Sequence, residues 1–386
     1  MERLFTRPFT LAFAAHFMHA LSLHSFLHLP GFLQQMTSDT FVIGLVIGTF
    51  SASAIAFRPA LGRIMDSRGR KIVLTIGGLV NVGASASYLL VDHVGPMLFC
   101  VRILHGLAQG MLFSVLFTVA ADLVPATRRT QGIGIFGVSG MVPFGIAGLT
   151  GDAILEAASY RELFLFACAC AGVGCLVALA LPDSRPALDP AAPVRRSFLG
   201  SMRDRPLLPI WVAALSFGLS IASYNAFLKT FVLERGVGSV GSFFAMYTAT
   251  AVALRLFGGR LPDLIGARRM FVPSLVALSA GIAVLAHAHT DAAVLVAGAM
   301  CGAGHGYAFP IASTLVVERA RGNERGTALA GFTALFDIGL LVGAPSFGLL
   351  LRGTDYTVMF TAAAATVAIG AAIFSLWDGH STKAHR

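Results

Sequence analysis

A chain of 386 residues that is 56% hydrophobic and only 12% charged falls far below the charged share of a soluble domain, about 25%. Its net charge of +9 does not indicate nucleic acid, because the basic residues lie in short segments between apolar runs, where they orient a membrane protein. Barrel strands of ~10 alternating residues are excluded too, since the apolar runs are much longer and do not alternate.

A helix needs about 20 apolar residues to cross the hydrocarbon. Runs of that length predict spans at 9–33, 41–60, 72–92, 96–120, 131–153, 162–181, 207–232, 240–260, 270–288, 291–315, 327–350 and 356–377. Only short polar breaks, at Asp92-His93 and at His289 to Asp291, separate spans 3 from 4 and 9 from 10. The first run is too long for a secretory h-region, so no cleavable signal peptide is expected. Cys100, Cys168, Cys170, Cys175 and Cys301 all fall within apolar runs without metal-finger spacing and read as small buried hydrophobes.

Twelve spans put both termini on one side. Of the 28 lysines and arginines, 21 fall in the segments on that side, four (Arg161, Lys229, Arg235 and Arg352) in the opposite loops, and three (Arg58, Arg102 and Arg255) within spans. The bias predicts cytoplasmic termini in a bacterial inner membrane. Pro182–Pro206 holds five prolines and five arginines and reads as a cytoplasmic linker, with a short amphipathic helix expected near 194–202. The predicted domains are thus a six-helix bundle at 1–181, the linker at 182–206 and a second six-helix bundle at 207–386.

The two halves repeat one another. Arg58, Gly62, Arg63, Asp66 and Gly69 find the same residue types at Arg255, Gly259, Arg260, Asp263 and Gly266, an offset of 197. Gly106, Gly110 and Phe113 match Gly302, Gly306 and Phe309 at an offset of 196, where Asp122 and Arg129 also find Glu318 and Arg325. Parallel halves related about the membrane normal are a transporter architecture, with the binding site at mid-depth between them.

Gly62-Arg-Ile-Met-Asp66-Ser-Arg-Gly69-Arg70-Lys71 resembles the loop signature G-x-x-x-D-x-x-G-R-[KR] of the major facilitator superfamily, between helices 2 and 3. The resemblance covers essentially the whole chain; the second copy departs from it with Ala267 in place of Arg70. It implies an all-α integral membrane fold of 12 transmembrane helices in two pseudo-symmetric six-helix bundles. It also implies a cytoplasmic latch built from Gly62, Arg63, Asp66, Gly69, Arg70 and Lys71. Physically, the glycines permit tight helix ends and a short turn, and Asp66 is an acceptor for the positive N-terminus of a helix near Gly326–Ala328. The bland alternative is that these charges only anchor the loop in the cytoplasm. Arg102-Ile-Leu-His-Gly106 is similar to the R-x-x-Q-G of proton-coupled members, with His105 in place of the glutamine. Span 5 has the glycine-rich texture of the antiporter signature without its strict spacing, which close packing explains equally.

Charged groups deep in a bilayer are costly and are functional candidates. Asp337 lies about halfway along span 11, while the other 18 acids fall in loops or at span ends. It is the first candidate for a protonatable coupling residue, and His24 and His105 are further candidates; a helix-pinning aspartate is the alternative. Span 1 carries His16, His19, His24 and His28. At 100° per residue His24 and His28 share one face, and His16 and His19 another. In the superfamily, spans 1, 4, 7 and 10 line the cavity, which implies cavity positions for these histidines, His105 and His305, though each is also at home as a packing residue. The candidate cavity set is His24, His28, Arg102, Gln109, Tyr224, Asn225, Tyr247, His305, Tyr307 and Asp337. The i, i+4 histidine pair suits a metal, but no cysteine or acid is placed to complete a site, so no metal and no cofactor is expected.

No G-x-x-x-x-G-K-[ST] is present, which argues against an ATP-driven pump. No nucleophile–base pair, metal triad or output domain is visible, so neither an enzyme nor a sensor is expected. The expected protein is a monomeric secondary transporter in a lipid bilayer whose partners are a small-molecule substrate and protons, with no nucleic acid. Efflux is the primary reading. The alternatives are proton-coupled import of an organic anion or sugar-like metabolite, and export of a metal or metal chelate. The latch makes a prediction: Asp66→Asn leaves the protein folded but slows transport in proteoliposomes, and an unchanged rate rejects the latch.

Overall fold

The computed structural model describes residues 4–125, 128–183, 202–321 and 325–383. Among these residues there is no strand, as expected where lipid offers no partner to an open backbone N–H or C=O. The helices of the first half are α1 (Arg7–Ser25), α2 (Leu29–Gln34), α3 (Thr40–Arg68), α4 (Arg70–Ser87), α5 (Pro96–Leu123), α6 (Arg129–Ala157) and α7 (Tyr160–Leu179). Those of the second half are α8 (Leu208–Arg235), α9 (Val240–Phe257), α10 (Leu261–Ile265), α11 (Ala267–Ala286), α12 (Asp291–Arg319), α13 (Arg325–Gly353) and α14 (Tyr356–Lys383). Eleven helices among the described residues are long and apolar enough to cross a membrane. The first predicted span is a composite: α1 runs through a 3₁₀ turn, Phe26–His28, into α2. The expected surface helix near 194–202 falls almost wholly outside the described residues.

Both short polar breaks are helix ends. The third span closes in a 3₁₀ turn at Tyr88–Leu90 before Pro96 starts α5. Thr290 caps α12 by accepting from the Ala293 N–H at 3.2 Å, satisfying a donor that a helix start leaves open. Ser159 and Glu162 form a capping box at the start of α7.

Contacts divide the chain into two compact units, Met1–Ser38 with Thr49–Asp189, and Asp39–Gly48 with Pro190–Arg386. Within the first, α1 packs on α5, α6 and α7, and α4 packs on α5 and α7. Within the second, α8 packs on α13 and α14, α12 on α9 and α11, and α11 on α14. Thr40 belongs to the second unit, where its hydroxyl donates to the Gly348 carbonyl at 2.7 Å.

The internal repeat reappears as packing. Gly106 lies against the Phe50 carbonyl of α3, and Gly302 against the Tyr247 carbonyl of α9; a side chain at either would collide with backbone. One turn on, an added Cβ at Gly110 would stand 3.1 Å from Ala54, and one at Gly306 would stand 3.1 Å from Ala251. The residues met in α3 and α9 keep the 197 offset. Small residues admit this approach where burial of apolar surface from water cannot drive it.

The loop motif is partly helical. Gly62 lies inside α3 rather than at its end, and the turn falls on Gly69 alone, at φ 88°. Gly266 in the second copy has φ 101°. Only glycine adopts that backbone without strain, so the repeat preserves the turn while the residues after it diverge. Past the turns, charges tie helix ends together. Arg70 is buried in an ion pair with Asp122 of α5, and Lys71 Nζ donates to the Leu181 carbonyl at 3.0 Å. In the second unit Asp378 of α14, buried at 2% exposure, accepts from Arg268 at 2.6 Å and Arg319 at 2.5 Å.

Gly106→Ala and Gly302→Ala are each expected to destabilise the protein by about 1–3 kcal/mol, the usual cost of overpacking. Gly134→Ala and Gly172→Ala, where an added Cβ meets nothing within 4 Å, should be neutral or stabilising. Thermal unfolding in detergent compares the pairs; equal midpoints in all four reject the packing account.

Candidate functional site

The histidines of the first span turn in different directions. His16 is buried on α6, with Nδ1 2.7 Å from the Ser139 hydroxyl and its ring stacked on Phe136. His19, expected to share its face, instead meets Asn81 of α4 at 3.3 Å. Half-buried His24 stacks on Phe144 of α6 at a centroid distance of 3.5 Å. At the end of the 3₁₀ turn, His28 is fully buried, with Nε2 3.0 Å from Asp152 and its ring over Gly151. Glycines of α6 and α7 thus seat imidazoles, a packing reason for the glycine-rich texture of span 5.

Arg102 and His105 of α5 share one partner. Arg102 donates to the Tyr88 hydroxyl at 3.2 Å, and that hydroxyl stands 3.4 Å from His105 Nδ1. The guanidinium also lies 4.7 Å over the Phe50 ring, a contact that strengthens when desolvated. Half-buried Gln109 follows one turn on.

The second unit gathers a comparable group. The Tyr247 hydroxyl is bonded to His305 Nδ1, and the phenyl rings of Phe217, Phe309 and Phe336 surround that imidazole at 5.1, 6.1 and 6.4 Å. Tyr224 is buried with its ring 6.3 Å from that of Tyr247, and half-buried Asn225 follows it on α8. Arg255 Nε donates to the Gly306 carbonyl at 3.4 Å. Asp337 follows Phe336 near the middle of α13, half-buried in a helix that contains no other acid. Tyr307 stands apart, donating to the Gly258 carbonyl at 2.9 Å just beyond α9. Among the described residues no three histidine, cysteine or acid side chains gather as metal ligands. The side chains at 62, 63, 66 and 326 lie outside the described residues, so the expected latch contact does too; Gly69 forms the turn, and Arg70 and Lys71 make the ties within the first unit given above.

Helical hairpins stacked by repeated glycines, with polar groups inside apolar spans, are what a bilayer transporter requires. The sequence model of the Major Facilitator Superfamily matches residues 9–246 and 236–385. The chain belongs to the major facilitator superfamily. It is 27% identical over 352 residues to an uncharacterised transporter of this type from Salmonella typhimurium, covering 89% of each protein. It is 24% identical over 372 residues to multidrug resistance protein 1 of Bacillus subtilis, covering 90% of each. The crystal structure of a mutant of the nucleoside transporter NupG superposes with a TM-score of 0.80 at 16% identity, over 96% of this chain and 100% of that one. The human organic anion transporter MFSD10 gives 0.70 at 16% identity, over 95% and 99%. At such identity the structural likeness shows the fold.

The protein is therefore a multi-pass membrane transporter of a small molecule and not an enzyme. Tyr88, Asn81, Asp152 and Asp378 carry polar contacts that the sequence did not single out. Tyr88 and Asp152 sit at predicted span ends, where polarity is ordinary, and a lone asparagine in an apolar run gives no partner. Tyr88→Phe keeps the ring and removes only the hydroxyl that Arg102 and His105 both meet. It should cost about 0.6–2 kcal/mol, the range of hydrogen bonds inside membranes, read as a lower unfolding midpoint. An unchanged midpoint rejects a shared hydroxyl.

Proposed function

We propose that this transporter is a proton-coupled exporter working by alternating access between its two six-helix domains, with both termini in the cytoplasm. The observation that carries the reading is Asp337, the single acid of α13, half-buried near the middle of that helix. A carboxyl at such a depth persists where it does work that offsets its cost. Binding a proton neutralises it and releasing one charges it, so its protonation state can be linked to which substrate-bound state is favoured.

In the same unit, His305, Tyr247 and the phenyl rings of Phe217, Phe309 and Phe336, gathered around the His305 imidazole, offer hydrogen bonds and aromatic faces. They suit a substrate with an apolar body and one polar end. His24 and His105 are further proton carriers on the first-domain side. Likeness over 90% of the chain to multidrug resistance protein 1 supports export of such a compound. Import of an organic anion is the second reading, favoured by Arg102 buried beside Tyr88 and His105.

Asp337→Asn should abolish pH-gradient-driven transport in proteoliposomes while substrate counterflow continues. A thermal-shift screen of amphiphilic cations, organic acids, sugars and metal chelates supplies the substrate. Full gradient-driven transport by the variant removes Asp337 from the mechanism, and accumulation in place of extrusion by cells favours import.

A further inference from the structure

The interior of the first unit changes character along its length. Near the start of α1, the space between the helices is filled by Phe9, Ala12 and Ala15 of α1, with Val73 and Leu74 of α4 and Leu112 and Val115 of α5, all nearly or fully buried. Further along the same helices the residues are polar. α1 and α4 each pack on α5 and α7, so they face one another diagonally across the centre of that four-helix group. His19 meets Asn81 across it at 3.3 Å, and Phe26 meets Tyr88 at 4.6 Å between rings. Between these two contacts, on the same stripes, lie Ser22 and Ser85, since 19, 22, 26 and 81, 85, 88 each mark one helix face.

Four buried polar atoms along this stretch have no protein partner: His19 Nε2, Ser22 Oγ, Ser85 Oγ and His105 Nε2. Their residues are at most 2% exposed. The tautomers follow from the bonds that are made. The Asn81 amide nitrogen can only donate, so His19 Nδ1 accepts and its proton sits on Nε2. Tyr88 accepts from Arg102, which leaves its own hydrogen for His105 Nδ1, so that imidazole also carries its proton on Nε2. Other buried serines, such as Ser25, Ser53, Ser139 and Ser274, donate to a carbonyl three or four residues back in their own helix. Ser22 and Ser85 do not. Two N–H donors and two hydroxyls therefore lie along one stretch of this interior, where a Cβ on Gly174 would already reach the His19 ring at 3.1 Å and the Phe26 and Phe50 rings stand 4.5 and 5.3 Å from the His105 ring. Leaving one such group unsatisfied costs about 1–3 kcal/mol, and buried polar groups left by the chain are met by ordered water.

We propose that the centre of the α1–α4–α5–α7 group binds a short file of water molecules between His19 and His105, bounded by the apolar layer at one end and by Phe26 at the other. Water fits the donor set because its oxygen accepts from the imidazoles while its hydrogens reach the serine oxygens. Its consequence for transport rests on the proton-coupling reading above: the file gives His105 a neighbour with which to exchange protons. In each hop one O–H or N–H bond forms as another breaks, and no atom is consumed.

Radiolytic hydroxyl-radical footprinting of the full chain in detergent, read by mass spectrometry, tests the site directly, because bound water is the local source of radical. After correction for intrinsic reactivity, His19, Tyr88 and His105 should label several-fold faster than Phe9 and Phe136 of the apolar layer. The double variant Ser22→Val, Ser85→Val should lose that labelling. Labelling at the rate of the apolar layer in the wild-type protein overturns the site, whether or not the variant folds. In proteoliposomes the variant should lose most pH-gradient-driven transport and keep counterflow; wild-type gradient-driven rates in it overturn the proton role. Wild-type protein that labels as expected but shows no gradient-driven transport would refute proton coupling and leave the water site standing.

Discussion

Hydrocarbon offers a peptide group no hydrogen-bond partner, and every other feature of this protein follows from that. Each span closes its own backbone bonds as a helix, and lipid is as apolar as leucine, so burial of apolar surface gives the helices little reason to associate. They are held by close approach and by buried polar contacts. Gly106 on Phe50 and Gly302 on Tyr247 supply the first kind, at the same place in each half. Arg70 with Asp122, and Asp378 with Arg268 and Arg319, supply the second at helix ends, where charge is cheaper to hold.

Polar side chains inside the spans divide by their surroundings. In the first unit most are spent within the bundle: His16 on Ser139, His19 on Asn81, His28 on Asp152 and Arg102 on Tyr88. In the second, His305 is bonded to Tyr247 yet half-buried among phenyl rings, and Asp337 is half-buried beside one of them. The proposed substrate chemistry leans on the second unit for that reason. The first presents a more closed polar interior, with His24 on Phe144 as its half-buried imidazole.

Much of the fold was legible because its signals are long or repeated. A run of some twenty apolar residues is read by length alone, and the offset of 197 between Gly69 and Gly266 survived because both turns take positive φ. The site was less legible. Faces assigned at 100° per residue placed His16 beside His19, but these two bond to different helices; the 3₁₀ turn at Phe26–His28 further alters the register before His28. Ser22 and Ser85 carried no signal, being ordinary residues in a helix interior.

The sequence by itself determined that this chain crosses a membrane about twelve times, that its halves repeat, and that Asp337 and the histidines are polar exceptions in apolar helices. Those properties depend on composition, length and spacing, which are local. Only the tertiary structure decided which exceptions have partners. Asp152, 124 residues from His28, and Asn81, 62 residues from His19, become neighbours through helix packing, and no local pattern encodes which faces meet.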